Sequence, residues 1–287
     1  MVEINLRCSY NNYVMCCVEN SGVCRIGQSD MEKQVIYYTD ELHDEFSTAV
    51  ITPKKIDKDY TYIYKGFWKK CTHVFWYRIV ANPLAFLYLK LYFGHKIENK
   101  EVLKKVKDTG WFQYANHTHF MADALIPTMV ANPKDTYVIV HPNNVSMPYL
   151  GRITPSLGAL PLPDDAEAAK NFLHAIETRI KQKHAVHIYP EAHIWPYYTK
   201  IRPFMDTSFR YPIQFKVPVF CFTNTYQKRR GRKTPRIVTY VDGPFYPDRE
   251  LKGAAQRKDL RDRVYDTMVL RSKMSNVEMI QYVRKHD

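Results

Sequence analysis

The chain has 287 residues, of which 45% are hydrophobic and 25% are charged, and this composition excludes an intrinsically disordered protein. The balance of 42 Lys and Arg against 29 Asp and Glu gives a net charge of +13, which suits a membrane surface, a nucleic acid or a phosphorylated substrate. The uncharged run at residues 79–89 is shorter than the roughly 18 residues that a membrane-spanning helix needs, so no spanning helix is predicted.

Residues 1–30 read as an unstructured extension, with Met31 as the natural start of the folded chain. The first residues lack the basic start and apolar block of a secretory signal peptide, which indicates a reducing, cytoplasmic location. Four cysteines lie in this extension, and their spacing matches no standard zinc site. They are Cys8, Cys16, Cys17 and Cys24.

Residues 31–105 are predicted to form a helical region at a membrane interface. Between residues 60 and 94, Tyr, Trp and Phe side chains alternate with five Lys and Arg side chains. Aromatic rings suit the depth of lipid headgroups, and long basic side chains keep their charge in water. The same pattern fits two helices, broken near Pro83, that pack on the protein, because amphipathic spacing does not reveal what covers the apolar face.

Strands and helices alternate after residue 107. Strands are predicted at residues 111–115, 136–140, 185–189, 217–225 and 237–241, and helices at residues 122–130, 164–181 and, as one helix or a pair, 260–280. The second helix has Asp164 as its predicted cap. This alternation predicts an α/β domain over residues 106–287, in which helices cover the faces of a sheet.

Candidate catalytic residues follow the first of these strands. His117 and His119 come just after the strand, and Asp123 lies further along. A carboxylate that holds one ring nitrogen of a histidine leaves the other nitrogen free to accept a proton, which is how a general base is oriented. A His–Asp pair is also a common structural feature, so the pattern alone leaves both interpretations open.

A second candidate segment, residues 187–193, ends another apolar strand. Glu191 follows Pro190 directly at the end of that strand. Active-site loops of α/β proteins collect at the carboxyl ends of parallel strands, so we expect Glu191 to lie near the first segment.

Together the two segments resemble the glycerolphosphate and lysophosphatidic acid acyltransferase family. The family motif Asn-His-x-Ser-x-x-Asp is similar to Asn116-His117-Thr118 and onward to Asp123. The family block Phe-Pro-Glu-Gly-Thr-Arg-Ser, with the Pro-Phe and Val-Pro-Val that follow it, is similar to residues 189–193, 202–204 and 217–219. The resemblance runs in order over about residues 60–245 and implies a mixed sheet covered by helices.

The sequence departs from the family pattern at three places. The family separates its His and Asp by four residues, whereas five separate His117 from Asp123 and three separate His119 from Asp123. We favour His117 as the base, with His119 as the alternative. The phosphate-binding arginines of the family are missing at residues 162–163 and at Ile194.

The resemblance implies acyl transfer from acyl-CoA or acyl carrier protein to a hydroxyl of a lysophospholipid-type acceptor. His117 would remove the hydroxyl proton, Asp123 would orient its ring, and neither a cofactor nor a metal would be needed. The protein would lie on an anionic membrane surface, peripherally or monotopically, and bind no nucleic acid. The expected substrate-binding residues are Glu191, His193, Arg152, Lys200 and Arg202.

Two other functions fit parts of the sequence. A metal-dependent hydrolase could use His117, His119 and Asp123 together with His187, Glu191 or His193 as ligands. A nucleic-acid-binding protein could use the basic run at residues 228–233, which more readily fits the solvated tip of a hairpin.

Overall fold

The computed structural model describes residues 34–46, 51–64 and 66–285, so the predicted extension and its four cysteines lie outside the described residues. The strands are β1 (Gln34–Tyr38), β2 (Lys96–Glu98), β3 (Trp111–Ala115), β4 (Thr136–Val140), β5 (Ala159–Pro161), β6 (Ala185–Ile188), β7 (Val219–Gln227), β8 (Arg236–Phe245) and β9 (Ile280–Arg284). The α-helices are α1 (Phe67–His73), α2 (Asn82–Tyr92), α3 (Phe120–Ala131), α4 (Asn143–Ser146), α5 (Ala166–Lys181), α6 (Arg210–Phe215) and α7 (Gly253–Ser272). A π-helical segment, Val74–Ala81, joins α1 to α2, and short 3₁₀ segments lie at Lys100–Val106, Leu150–Arg152, Thr154–Leu157 and Thr207–Phe209.

The main sheet has seven strands in the order β2-β8-β7-β3-β6-β4-β5. Neighbouring strands from β7 to β5 are parallel, whereas β8 is antiparallel to β7 and β2 is parallel to β8. The predicted mixed α/β sheet is therefore confirmed. The basic run at residues 228–233 lies in the connection between the paired strands β7 and β8, as expected for a hairpin tip.

The central strand β3 is buried on both faces, and all but one of its residues, Gln113, are apolar or aromatic. Phe112 and Tyr114 belong to the core on one face, together with side chains of α5 and α7. Trp111 and Ala115 belong to the core on the other face, together with side chains of α2 and α3. This double packing fixes the end of β3, where the candidate catalytic segment begins.

The helical segments from Phe67 to Tyr92 follow one another without a break, because the residues that join them keep right-handed helical dihedral angles. Pro83 lies in the first turn of α2, where a proline is tolerated, so the helical path is not broken at this residue. Only a narrow stripe that includes Tyr77, Ala85 and Leu89 is buried against the protein. No helix within the described ranges combines the length and apolar character needed to cross a bilayer.

The first and last strands of the described residues, β1 and β9, form a second, two-stranded sheet, and the strands of the structure correct two predictions. The predicted C-terminal helix or helix pair stops at Ser272, and β9 then pairs in parallel with β1, with Gln34 opposite Ile280. The apolar residues between 274 and 280 are spaced as in a helix. A local pattern cannot reveal that these residues lead into a strand whose partner, β1, lies more than 200 residues away in the sequence. Residues 31–105 likewise contain β1 and β2, and β2 joins the main sheet ahead of residue 106.

Candidate active site

The two candidate segments meet at the carboxyl edge of the sheet. Strands β3 and β6 are adjacent and parallel, with Tyr114 opposite Ile188, so the loops that follow them emerge side by side. The backbone N–H groups of Trp195 and Tyr197 donate to the carbonyls of His117 and Thr118, at 3.1 and 2.8 Å. The strand order thus brings together residues that are about 70 positions apart in the sequence.

His117 forms a close pair with Asp123. Its Nδ1 lies 2.9 Å from Asp123 Oδ2, and that oxygen also accepts hydrogen bonds from the backbone N–H groups of Thr118 and His119, at 2.7 and 2.8 Å. The side chain of Asp123 is 1% exposed and that of His117 is 17% exposed. The carboxylate therefore holds the Nδ1–H tautomer of His117, which leaves Nε2 as the basic nitrogen on a ring that solvent reaches.

His119 has a different role in the fold. Its backbone is extended, and its Nδ1 accepts a hydrogen bond from Ala122 N at 3.2 Å, so the ring caps the N-terminus of α3. Its Nε2 lies 3.4 Å from the hydroxyl of Tyr197, and burial lowers its pKa. The cap delays the start of the helix to Phe120, and this accommodates the extra residue between His117 and Asp123. The ring of His119 does not contact the carboxylate of Asp123, so the geometry favours His117 as the base.

A buried hydrogen-bond chain continues behind Asp123. Asn224 reaches Asp123 Oδ1 through Nδ2 at 3.5 Å, and its Oδ1 accepts from the hydroxyl of Thr239 at 2.7 Å. His95 Nε2 lies 2.8 Å from the same hydroxyl, and burial lowers the pKa of His95 to about 4, so its ring is neutral at pH 7. The side-chain amide of Asn116 also pairs with the backbone of Asn224: its Nδ2 donates to the Asn224 carbonyl, and its Oδ1 accepts from the Asn224 N–H. Sequence reasoning missed His95, Asn224 and Thr239, because only long-range strand pairing brings them to the site.

Glu191 connects the two loops. One carboxylate oxygen accepts from the backbone N–H of His117 at 3.0 Å, and the other accepts from the backbone N–H of Arg202 at 3.0 Å. The side chain is fully buried, and this burial raises its pKa, against the lowering effect of the nearby Arg202 guanidinium. Glu191 therefore fixes the backbone of His117.

The expected substrate-binding cations lie in different surroundings. Arg202 is buried: its guanidinium lies 3.5 Å from Glu191 Oε2, stacks over Trp195 and donates to the carbonyls of His193 and Glu41. The charge of Arg202 is thus already paired inside the protein. The imidazole of His193 lies 3.4 Å from the carboxylate of Glu45. Lys200 is exposed on the loop after β6, and Arg152 is exposed between α4 and β5.

The ring of Tyr189 backs the His117 ring, and the ring of His187 packs against Tyr189 in turn. Tyr189 stacks on the His117 ring with centroids 4.1 Å apart, and the Tyr189 hydroxyl donates to the carbonyl of Asp123 at 2.5 Å. His187 packs against Tyr189 and Phe222, and both its ring nitrogens are buried without a hydrogen-bond partner. Burial, followed by the charge of His117, lowers the pKa of His187 far below its ordinary value.

The hydrolase alternative needs several of these side chains to converge on one point. Within the described part of the chain, no three His, Cys, Asp or Glu side chains are grouped so that they could hold a metal ion. The caps and hydrogen bonds above explain why, since the ring of His119 faces Ala122 and Tyr197, and His187 is enclosed by aromatic rings. The geometry does not favour a metal-dependent hydrolase.

Comparison with known proteins agrees with this architecture. Residues 95–223 match the family model described as acyltransferase. Among solved structures, the 1-acyl-sn-glycerophosphate (LPA) acyltransferase PlsC from Thermotoga maritima is similar, with a TM-score of 0.51 and 17% identity over 74% of this chain and 86% of that chain. No curated protein sequence matches. Residues 95–223 thus resemble the acyltransferase family, and the chain shares the mixed α/β fold of PlsC.

Proposed function

We propose that the protein transfers a fatty acyl group from an acyl thioester to a free hydroxyl of a lysophospholipid-type acceptor. The observation that carries the proposal is the pair of His117 and Asp123, joined at 2.9 Å, on a partly exposed ring at the end of a strand in an acyltransferase-family domain. The substrate of the similar PlsC enzyme, named as LPA, supports a lysophospholipid as the acceptor class.

His117 acts as a general base and then as a general acid. Its Nε2 takes the proton of the acceptor hydroxyl while the oxygen attacks the thioester carbonyl, and Asp123 Oδ2 stabilises the imidazolium through the Nδ1–H bond. The tetrahedral intermediate then collapses with cleavage of the carbon–sulfur bond. The proton on Nε2 passes to the departing thiolate, so the products are the ester and a free thiol. The chain itself forms no covalent intermediate.

Exposed apolar side chains support a membrane as the source of the acceptor. In the first turn of α3, just after the His117 segment, Phe120 is 61% exposed and Met121 is 45% exposed. The ring of Phe93, just after α2, packs against His119 with centroids 4.8 Å apart, which holds the end of α2 next to the site. More exposed apolar side chains lie on α1, the π-helical segment and α2. They include Phe67, Trp68, Phe75, Ile79, Leu84, Phe86, Leu87 and Leu91. An apolar surface of this extent is typical of a membrane or protein interface, and we favour a peripheral or monotopic membrane position.

The catalytic part of the proposal is tested by acyl transfer from a labelled acyl thioester to lysophospholipids in detergent micelles. The H117A variant is expected to lose roughly 10²–10⁴-fold in kcat, the contribution of a general base, with an unchanged circular dichroism spectrum. H119A is the matched control. It removes a helix cap, so we expect a lower melting temperature but a much smaller loss of kcat than in H117A. Full activity in H117A, or equal losses of activity in both variants, contradicts the assignment of His117.

The membrane part is tested by flotation with vesicles. Wild-type protein should float with vesicles that contain phosphatidylglycerol, and high salt should release only part of it, because buried apolar area is insensitive to ionic strength. The double variant F67S/W68S should float less, because these two side chains are 72% and 81% exposed and contribute little to the folded core. Wild-type protein that stays free of anionic vesicles at low salt contradicts the membrane position.

A further inference from the structure

A cavity of about 300 Å³ opens on the side of the protein where β4 and β5 lie, and it has no part in the chemistry described above. One wall is formed by the segment of residues 54–64, and the other by the connection between β4 and β5. Its charged lining consists of Lys54, Lys55 and Arg152. We call it the basic cavity. The sequence alone indicates Arg152 as a candidate binding residue but not the two lysines. Their segment approaches the β4–β5 connection only in the folded chain.

The cations of the basic cavity lack internal counter-charges. Throughout residues 34–46, 51–64 and 66–285, no carboxylate lies within ion-pair distance of Lys54, Lys55 or Arg152. Arg202 and Arg78, in contrast, are matched with Glu191 and Asp135 inside the protein. Cations that face one cavity repel each other, and a bound anion removes that repulsion.

The backbone of residues 54–56, in one wall of the basic cavity, is held in place by hydrogen bonds to residues that precede and follow β5 in the sequence. Lys54 N donates to Ser146 Oγ at 2.8 Å, and Ile56 exchanges two bonds with Asp164, at 2.6 and 3.1 Å. A side chain at Gly151 would place its Cβ 2.6 Å from the carbonyl oxygen of Val145, so only glycine permits this close approach. The cations are therefore carried on a fixed concave surface.

We propose that the basic cavity binds phosphate groups of the acyl donor, as in the nucleotide end of an acyl-CoA. Lys and Arg side chains are the groups that bind phosphate in proteins, and Arg152 can do so in a bidentate manner. Adjacent strands lie about 4.8 Å apart, so β4, which lies two strands from β3, places the cavity roughly 10 Å or more to the side of His117. That offset exceeds the few bonds between the hydroxyl and the phosphate of a lysophosphatidate, and it suits the long arm that joins a thioester to the phosphates of CoA.

The identity of the donor in this proposal rests on the proposed function. The test measures binding of CoA and does not require acyl transfer. Binding of free CoA to the full chain is measured by titration calorimetry for wild type and for the triple variant K54Q/K55Q/R152Q. The matched control K104Q/K105Q/R249Q removes the same charge from exposed side chains at the opposite edge of the sheet. We expect the affinity for CoA to fall roughly tenfold or more in the first variant and to stay within about twofold in the control. R152Q alone serves if the triple variant does not fold.

Two kinetic measurements distinguish phosphate of the acyl-CoA donor from phosphate of the acceptor as the group that the basic cavity binds. The acyl thioester of N-acetylcysteamine carries no phosphate, so the ratio of the triple variant's KM to the wild-type KM should be much larger for acyl-CoA than for this short donor. Unchanged CoA affinity in the triple variant overturns the proposal, as does a KM increase that is confined to a phosphate-bearing acceptor. Wild-type protein that binds CoA through these residues but transfers no acyl group contradicts the proposed function and leaves the basic cavity as a CoA site.

Discussion

Tyr189 holds His117 and the backbone of Asp123 at the same time, because its ring stacks on the imidazole at 4.1 Å while its hydroxyl donates to the Asp123 carbonyl at 2.5 Å. The family motif has phenylalanine at this position, which keeps the stacking and removes the hydrogen bond. Tyr189 thus adds a contact to the pair of His117 and Asp123 that the family pattern does not require.

The Y189F variant should therefore retain the site with a modest loss. A single hydrogen bond contributes about 1 kcal/mol, so we expect kcat to fall roughly fivefold. Y189L, which also removes the stacked ring, should lose considerably more. The measurement is single-turnover acyl transfer by each variant, with the melting temperature as a control for folding. A loss in Y189F as large as that in Y189L would show that the hydroxyl, and not the ring, positions His117.

The segment that carries His117 and Asp123 could be predicted from the sequence because its signals are local. The apolar run of β3 ends at Ala115, the Asn-His dipeptide follows, and the helix that carries Asp123 begins within a few residues. The partners of this segment could not be predicted in the same way. Asn224 and Thr239 reach Asp123 only through the pairing of β3, β7 and β8, and nothing in their local sequence distinguishes them from other strand residues.

Arg202 shows a second limit of sequence reasoning. Its place next to Pro203 and Phe204 fits the family pattern, and a cation close to the site suggests a phosphate ligand. The structure instead places it against Glu191, with 0% of either side chain exposed. A one-dimensional pattern shows that a cation is near, but it does not show whether an internal carboxylate has already neutralised it.

The Glu191–Arg202 pair gives a second prediction, on stability. E191Q leaves the buried guanidinium without its counter-charge, so we expect the free energy of unfolding to fall by about 3–5 kcal/mol. The double variant E191Q/R202M removes both charges and should recover a large part of that loss. Urea denaturation of the two single variants, the double variant and wild type completes the thermodynamic cycle. Additive effects of the two substitutions would contradict a direct pairing.

Ala192 provides a third prediction, because its backbone has a φ of +63°, where the family motif has glycine. A residue with a Cβ loses roughly 1 kcal/mol in this left-handed conformation, whereas glycine adopts it freely. A192G should therefore raise the free energy of unfolding by up to about 1 kcal/mol, after allowance for the greater backbone freedom of glycine in the unfolded chain. A169G is the matched control: it lies inside the helix α5 and should lower stability by roughly 0.5–1 kcal/mol. A lower melting temperature for A192G than for wild type would contradict the interpretation.

The last prediction concerns pH and rests on His187, whose buried ring has a pKa far below its ordinary value. Below about pH 6.5 the unfolded chain binds a proton at this histidine, and the folded chain does not. The free energy of unfolding is thus unaffected by this proton at neutral pH and falls as the pH drops below about 6.5, with a slope approaching about 1.4 kcal/mol per pH unit for one proton.

The H187L variant should remove this part of the pH dependence. At pH 7 it should also be more stable than wild type, because it replaces two buried ring nitrogens that have no hydrogen-bond partner. H174Q, which replaces an exposed histidine on α5, is the control and should keep the wild-type slope. The measurement is the free energy of unfolding in urea between pH 5 and pH 7.5. Parallel pH profiles for H187L and wild type would show that His187 takes up its proton equally in the folded and unfolded chains, and would refute its burial as a neutral ring behind His117.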